Sequence, residues 1–312
     1  MIAAAALWLA LCVDALFGEP PVRWHPVVWI GRYLGWAGRH VAPPVGQPAQ
    51  RRWRRFGAGA LAWCVGAAMV LVVAIALDAL AAQLPAWICA VVLGLALKPL
   101  LAWRMLRDEV GAVEAALAES LPAGRAQLAR LVSRDVSALE AAGVRESAIE
   151  SLAENLNDSL IAPLFWFVLF GLPGAALYRF ANTADAMWGY RGARDGREWE
   201  WAGKWAARAD DLLSWLPARI TALLLCLAGP GRWRGLGAIR REAARTPSPN
   251  SGWPMAAMAL LLGVRLGKPG SYTLNSVARA PQSDDTAQAL ALASRARWLG
   301  AICAAAVFVY VR

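Results

Sequence analysis

An all-α, polytopic integral membrane fold is predicted by three observations. Of 312 residues, 58% are hydrophobic, and the mean hydropathy is +0.41, too apolar for an ordinary soluble domain. Two long apolar runs, Phe56–Ala82 and Ala86–Trp103, each approach the roughly 20 residues that cross a bilayer core at about 1.5 Å per residue. Seventeen Trp are present, and Trp53, Trp87, Trp103, Trp215 and Trp298 flank apolar runs, the placement favoured at membrane interfaces.

The elements follow in order along what reads as one integral membrane domain. Residues 1–17 form an N-terminal apolar helix. It has no basic residue ahead of its apolar stretch and contains Asp14, so it reads as a retained helix and not as a cleaved leader. Residues 56–103 form a transmembrane hairpin turned at Gln83–Pro85. Residues 104–158 form a polar helical loop, with a break at Leu121–Gly124 and helical spacing through Leu128, Leu131, Val132, Val136 and Leu139. Residues 159–180 form a broken apolar segment, interrupted at Gly171–Gly174, and either half is too short to span. A single kinked span competes with a re-entrant hairpin; the basic residues Arg179, Arg191, Arg194, Arg197, Lys204 and Arg208 favour the returning version. Residues 181–211 are a polar loop and 212–228 a short apolar segment holding Pro217. Residues 229–297 are a polar loop with a short apolar helix at Met255–Leu266, and 298–311 a C-terminal apolar helix.

The net charge of +10 reads as positive-inside anchoring. Arg32, Arg39, Arg51, Arg52, Arg54 and Arg55 precede the first clear span and place that loop, with the polar helical loops, in the cytoplasm. Arg232, Arg234, Arg240, Arg241 and Arg245 make a second basic loop. No aromatic-basic platform for single strands stands out, so nucleic acid is not an expected partner. The five Cys are isolated and read as small core residues, and the two His are not spaced as zinc ligands.

Four constellations carry candidate chemistry. In the first, Glu146, Glu150, Glu154 and Asp158 recur every four residues, about 40° apart around a helix. Like charges at that spacing repel by roughly 0.2–0.5 kcal/mol per pair, and no Lys or Arg lies between Arg145 and Arg179 to offset them. Compensation must come from a metal ion, a cationic substrate group or an Arg from elsewhere. Ile149, Leu152, Ala153, Leu156 and Leu160 form the opposite, apolar face, and Glu146 is expected to face solvent. Carboxylates at a membrane surface suit Mg²⁺, which takes oxygen ligands and keeps waters for phosphate; a merely solvated face is the alternative.

The second runs from Asn182 to Arg191. Asp185 suits a metal or an amine and Arg191 a phosphate, whereas Asn182 or Thr183 as a helix cap is the competing reading. The third is Asp210-Asp211, of which one joins a shared site or either caps the next helix, followed by Arg219. The fourth is the Ser248–Pro254 turn with Asn250, whose exposed amides suit an anion. Arg265 and Lys268 follow, in a segment without Walker A spacing. Asp14 and Glu19, at the end of the first apolar helix, add to a polar cavity on this reading.

In this order the segments resemble the CobD/CbiB family, adenosylcobinamide-phosphate synthase. The resemblance runs through Asp14–Pro20, His25–Arg32, Ser133-Arg134-Asp135, Glu150–Trp166, Asn182–Arg191, Asp210–Thr221, Ser248–Ala257 and Gly263–Gly270. It departs at Leu156, where a Thr is expected nearby, at Asn157 (expected apolar), at Ser159 (expected Gly) and at Ala184 (expected larger and apolar). The resemblance implies a multi-pass inner-membrane enzyme with its site facing the cytoplasm. It would join a carboxyl side chain of an adenosyl-corrinoid, adenosylcobyric acid, to the amine of aminopropanol or its phosphate, with ATP and Mg²⁺. Its partners would be those substrates, the lipid bilayer and other corrin-pathway enzymes.

On that footing the catalytic candidates are Glu154, Asp158, Asp185 and Asp211, the first three also as Mg²⁺ ligands. Asn155, Asn182, Arg191, Arg219, Asn250 and Lys268 are the substrate-binding candidates. Two functions from other classes compete. A transporter would also carry broken helices and carboxylates, but here the clear spans have almost no ionisable residue at their centres. A non-catalytic membrane partner of a soluble ligase would account for the missing nucleotide motif.

Overall fold

A computed structural model describes residues 1–46, 52–229 and 235–310. Arg51, Arg232, Arg234, Val311 and the last residues of the Pro/Gly-rich Ala42–Ala49 lie outside the described residues. Twelve helices are described: α1 (Ile2–Phe17), α2 (Pro26–Val41), α3 (Arg52–Ala81), α4 (Ala86–Leu97), α5 (Trp103–Glu119), α6 (Leu121–Leu128), α7 (Ala141–Leu156), α8 (Ala162–Trp188), α9 (Lys204–Ala228), α10 (Leu236–Ala243), α11 (Gly252–Leu262) and α12 (Ser283–Tyr310). The strands are two minute antiparallel hairpins, β1 (Ala193–Arg194) with β2 (Arg197–Glu198) and β3 (Leu266–Lys268) with β4 (Tyr272–Leu274). Five helical stretches are long and apolar enough to cross a membrane, Arg52–Ala81, Ala86–Glu119, Ala141–Trp188, Lys204–Ala228 and Ser283–Tyr310. The protein is thus an all-α, multi-pass membrane protein.

The chain forms two compact units. One comprises Met1–Leu101, Ala162–Ser214 and Ala304–Arg312; the other comprises Ala102–Ile161 and Trp215–Cys303. In the first unit α1 packs on α4, and α3 packs on α8 and α2. Its core joins Ile30, Leu34, Trp63, Phe180, Trp188 and Trp199. Trp63 meets Phe180 edge to face at 5.5 Å, and Trp188 stacks on Trp199 at 6.0 Å while its indole N–H donates to the Leu34 carbonyl. Such pairs add about 0.5–1.5 kcal/mol each to the burial of their rings.

The apolar run Ala86–Trp103 is not one helix. It stops at Leu97 and passes through a 3₁₀ turn at Lys98–Leu100. Pro99 ends the α-helix there, lacking the N–H that the ladder needs; beside it Lys98, only 3% exposed, turns inward, its Nζ 3.2 Å from Asp14 Oδ1 and 2.9 Å from Glu19 Oε1. Glu19 Oε2 in turn is 3.0 Å from His25 Nε2. His25 Nδ1 accepts from the Val27 amide, capping α2, so the neutral ring carries its proton on Nε2 and donates it to Glu19. Asp14 and Glu19 therefore do not open a polar cavity; Lys98 closes them.

The broken segment doubles back. α8 is interrupted at Phe170 (φ −129°) and Gly171 (φ 65°, ψ −155°), a conformation that favours glycine. Past the break, Gly174 packs directly on the Trp166 carbonyl, so close that a Cβ would overlap it. A straight helix would place residues eight apart about 12 Å from each other, so the second half, Leu172–Trp188, returns along the first. Pro173 fits the first turn of that second half, where its missing N–H is not needed.

The remaining boundaries shift for local reasons. Leu121–Gly124 is no break but the first turn of α6, capped by Ser120, whose Oγ accepts from the Ala123 amide. α6 ends at Leu128, and the helical spacing through Leu139 lies in turns, with Asp135 accepting the Ser137 amide. Asn182 and Thr183 lie inside α8 and Asp210-Asp211 inside α9, so none is a helix cap. α9 takes in Leu212–Ala228 together with the polar residues before it, and tolerates Pro217 in its interior.

In the second unit α5, α6 and α7 pack together, and α7 also packs on α11. Ile149, Leu152, Ala153, Leu156 and Leu160 are fully buried, as the apolar face of the acidic helix requires, and every residue of α11 except Trp253 is buried. Arg145 grips Glu114 through Nε and Nη2 at 2.7–3.0 Å, and Thr286 donates to the same carboxylate at 2.9 Å.

Candidate active site

The acidic face of α7 acquires its missing cations from distant parts of the sequence. Glu146 is buried, not solvent-facing, and meets Arg265 Nε at 3.0 Å. One turn on, Glu150 is 4% exposed and lies 3.4 Å from Arg134 Nη2, which also donates to Ser147 Oγ at 2.6 Å. Glu154, one turn further, is half-buried. Tyr272, at the start of β4, faces this stretch; its hydroxyl lies 3.8 Å from Met255 Sδ, a weak acceptor. Burial pushes the Tyr272 phenol well above its ordinary pKa, and the charges of Glu150 and Glu154 push it the same way against Arg134.

After Leu156 the helix widens into a π turn at Asn157–Ile161, a feature found often at functional sites. Asp158 sits in it. Asn157 is buried, donates through Nδ2 to Asp158 Oδ1 at 2.7 Å and accepts from Thr221 Oγ1 at 3.0 Å. Thr221 of α9 therefore fixes Asn157, which fixes Asp158. Asn155 gives its amide N–H groups to Ser151 of its own helix. Arg219 is flanked by the rings of Trp215 (4.3 Å) and Trp253 (4.7 Å), and its Nη1 donates to Asn250 Oδ1 at 3.1 Å. Ser248 Oγ accepts the amides of Asn250 and Ser251, which makes that turn rigid. Lys268 is exposed on β3.

The first unit holds the other candidates. Asn182 lies between Arg179 Nη1 and Asp210 Oδ1, each 3.5 Å away. Asp185 stands one turn on from Asn182, its carboxylate folded over Gly189, where any side chain would collide with it. Asp211 feels the charges of Arg208 and Arg191. Both members of the Asp210-Asp211 pair are thus engaged, with different partners.

The family profile for CobD/Cbib protein matches residues 7–300. The chain belongs to the CobD/CbiB family. Among its relatives, a probable cobalamin biosynthesis protein CobD of Pyrococcus abyssi is 39% identical over 291 residues, covering 91% of this chain and 89% of the relative. The cobalamin biosynthesis proteins CobD of Rhodobacter capsulatus and Chromobacterium violaceum are likewise 39% identical. They cover 94% and 100% of this chain, and 93% and 98% of their own lengths. No solved structure matches.

In this CobD/CbiB chain, no group of three or more His, Cys, Asp or Glu side chains converges as a preformed metal cage among the described residues. The donor set nevertheless fits Mg²⁺, which is commonly held by one or two carboxylates and the phosphates of a substrate. Glu154 and Asp158 are half-buried oxygen donors of that kind. Three residues escape sequence reasoning about sites: Tyr272 and Thr221 in the second unit, and the buried Lys98 in the first. For Tyr272 the available signal is the Lys268-Pro269-Gly270 turn, a hairpin signature with Gly270 at φ 72°. For Thr221 and Lys98 there is none, because their partners are fixed only by tertiary packing.

Proposed function

We propose that this protein is a membrane-embedded amide-forming synthase of cobalamin biosynthesis. It joins a carboxyl side chain of adenosylcobyric acid to the amine of aminopropanol or its phosphate, using ATP and Mg²⁺. The observation that carries this reading is the near full-length match to relatives named cobalamin biosynthesis protein CobD. The half-buried carboxylates Glu154, Asp158, Asp185 and Asp211 support it.

Amide formation from a free carboxylate in water is uphill. The corrin carboxylate first attacks the γ-phosphorus of ATP, releasing ADP and leaving an acyl phosphate. The uncharged amine then attacks the carbonyl carbon, inorganic phosphate departs with the C–O bonding pair, and the nitrogen gives up a proton. Asp158 and Glu154 would hold Mg²⁺, which when bound neutralises charge on the phosphoryl oxygens, and Asp185 is a further catalytic carboxylate. Asp211 orients the reacting groups. Arg191, Arg219 and Lys268 bind phosphate or corrin carboxylates, and Asn155, Asn182 and Asn250 bind the amide-rich corrin edge. The site faces the cytoplasm from the inner membrane, where ATP is available.

The test is direct. Purified protein is mixed with adenosylcobyric acid, aminopropanol phosphate and MgATP, and the amide is measured. Asp158→Ala and Asp185→Ala should each lower the rate at least 100-fold with the protein at normal levels. Wild-type rates in both variants would refute their assignment. The absence of a Walker A motif from the sequence favours one second reading, a membrane partner of a soluble ligase. In that case the purified chain makes no amide until the ligase is added.

A further inference from the structure

Glu146 and Glu150 are one helical turn apart, about 6 Å along the axis of α7. Each is met by an arginine from another part of the second unit. Arg265 stands just before β3, and Arg134 lies in the turns between α6 and α7. These two contacts differ from the other arginine pairs of that unit. Arg145 closes on Glu114 with Nε and Nη2, and Arg279 closes on Asp285 with Nη1 and Nη2. There the guanidinium fork is spent on one carboxylate, as suits a purely structural pair. Arg265 gives Glu146 only its Nε, at 3.0 Å. Its Nη1 and Nη2 make no hydrogen bond among the described residues, and the side chain is 46% exposed. Arg134 commits only Nη2, to Ser147 Oγ at 2.6 Å and to Glu150 at 3.4 Å. Its Nη1 and Nε make no hydrogen bond among the described residues, and the side chain is 20% exposed. Ser147 donates its own proton to the Gly143 carbonyl, so toward Arg134 it is an acceptor only. Both guanidinium groups are thus anchored on the acidic face of α7 with donors to spare.

We propose that Arg134 and Arg265, anchored by Glu150 and Glu146, form an oxyanion subsite for the phosphates of a nucleoside triphosphate; this rests on the ATP-dependent reaction proposed above. A guanidinium is planar and always charged, and its N–H groups match phosphate oxygens. Anchoring by a carboxylate removes the rotamer freedom that binding would otherwise cost. Glu146 and Glu150 do not touch the ligand; they position the groups that do. Two guanidinium groups from separate elements suit a polyphosphate, which offers many oxygens, better than a single corrin carboxylate, which offers two. The acidic face then divides by task. Its first two carboxylates hold arginines, and the next two, Glu154 and Asp158, are the proposed Mg²⁺ ligands. Arginines and metal would neutralise one polyphosphate together, with no Walker A loop.

The experiment compares two phosphate ligands. Full-length protein in nanodiscs with Mg²⁺ is titrated calorimetrically with a non-hydrolysable ATP analogue and, separately, with aminopropanol phosphate. Arg265→Lys keeps a charge for Glu146 but removes the fork. It should weaken the analogue by roughly 10- to 100-fold, the range of a charge-assisted contact, and leave aminopropanol phosphate binding as before. Arg134→Lys should do the same. Wild type that does not bind the analogue, or unchanged analogue affinity in both variants, overturns the subsite. A loss confined to aminopropanol phosphate, or shared equally by it, overturns it too. If Arg265→Lys does not fold, the double variant Glu146→Gln with Arg265→Gln, which leaves no buried charge unpaired, takes its place under the same outcomes. Selective loss of the analogue, in a protein whose wild type makes no amide from adenosylcobyric acid, aminopropanol phosphate and MgATP, refutes the reaction and keeps the subsite. Amide formation with an unchanged KM for MgATP in both arginine variants refutes the subsite and keeps the reaction.

Discussion

Lys98 shows what one side chain does when its charge has nowhere to go but inward. It is almost fully buried, and its ammonium is shared by Asp14 and Glu19. Burial alone would raise the Glu19 pKa, but the hydrogen bonds from His25 and Lys98 and the charge of Lys98 hold it below its ordinary value. Removing one partner of a buried pair leaves the other uncompensated, at a cost of about 3–5 kcal/mol. Lys98→Met should therefore lower the melting temperature in detergent sharply, and adding Asp14→Leu should recover a large part of the loss. A double variant no more stable than Lys98→Met alone would mean that Glu19, not Asp14, is the partner that matters. At the same scale, Asn157 departs from the family pattern noted in the sequence, yet it binds both Asp158 and Thr221. A polar residue there is a brace for the carboxylate beside it.

Helix α8 is where an element's geometry follows from two glycines. Gly171 supplies the positive φ of the reversal, and Gly174 lets the returning half lie on the Trp166 carbonyl. Gly174→Ala forces a Cβ into backbone that cannot yield cheaply, an overpacking cost of about 1–3 kcal/mol. It should lower thermal stability by that amount, whereas Gly57→Ala, with open space around it, should not destabilise α3; equal melting temperatures for the two would count against the hairpin. Much at this scale was legible beforehand. The Gly171-Leu172-Pro173-Gly174 punctuation, the long apolar α3 and the four-residue acidic ladder of α7 are local patterns. The burial of Lys98 and the inclusion of Asp210-Asp211 within α9 were not, because each depends on groups remote in sequence. Glu146 is a case of the same kind: its angle on α7 points to solvent, but Arg265, remote in sequence, covers it.

The whole molecule is two compact units assembled from interleaved stretches of chain. Each unit has its own polar residues: Glu150, Glu154, Asp158 and Tyr272 in one, Asn182, Asp185, Arg191 and Asp211 in the other. The second set falls within the single stretch Ala162–Ser214, whereas the first draws Tyr272 from a stretch remote from its carboxylates, which is why no short motif announces that tyrosine. The basic residues of the first unit, among them Arg191, Arg194 and Arg197 beside the β1–β2 hairpin, argue for a cytoplasmic position of that face. A single cysteine in place of the exposed Ala193, in an otherwise cysteine-free protein, should react with a membrane-impermeant maleimide only after the inner membrane is opened. Labelling in cells with an intact inner membrane would reverse the proposed orientation.

The Asp14–Lys98 pair also sets a timetable for synthesis. Asp14 lies in α1, which precedes α4 in the chain, and it is completely buried in the finished protein. Its counter-charge emerges about eighty residues later, on the order of ten seconds at ordinary elongation rates. During that interval α1 carries a carboxylate without Lys98 beside it, which opposes its transfer into an apolar environment. Its stable docking on α4 is therefore expected only once Lys98 has been made. Chain order and order of assembly thus part company at α1.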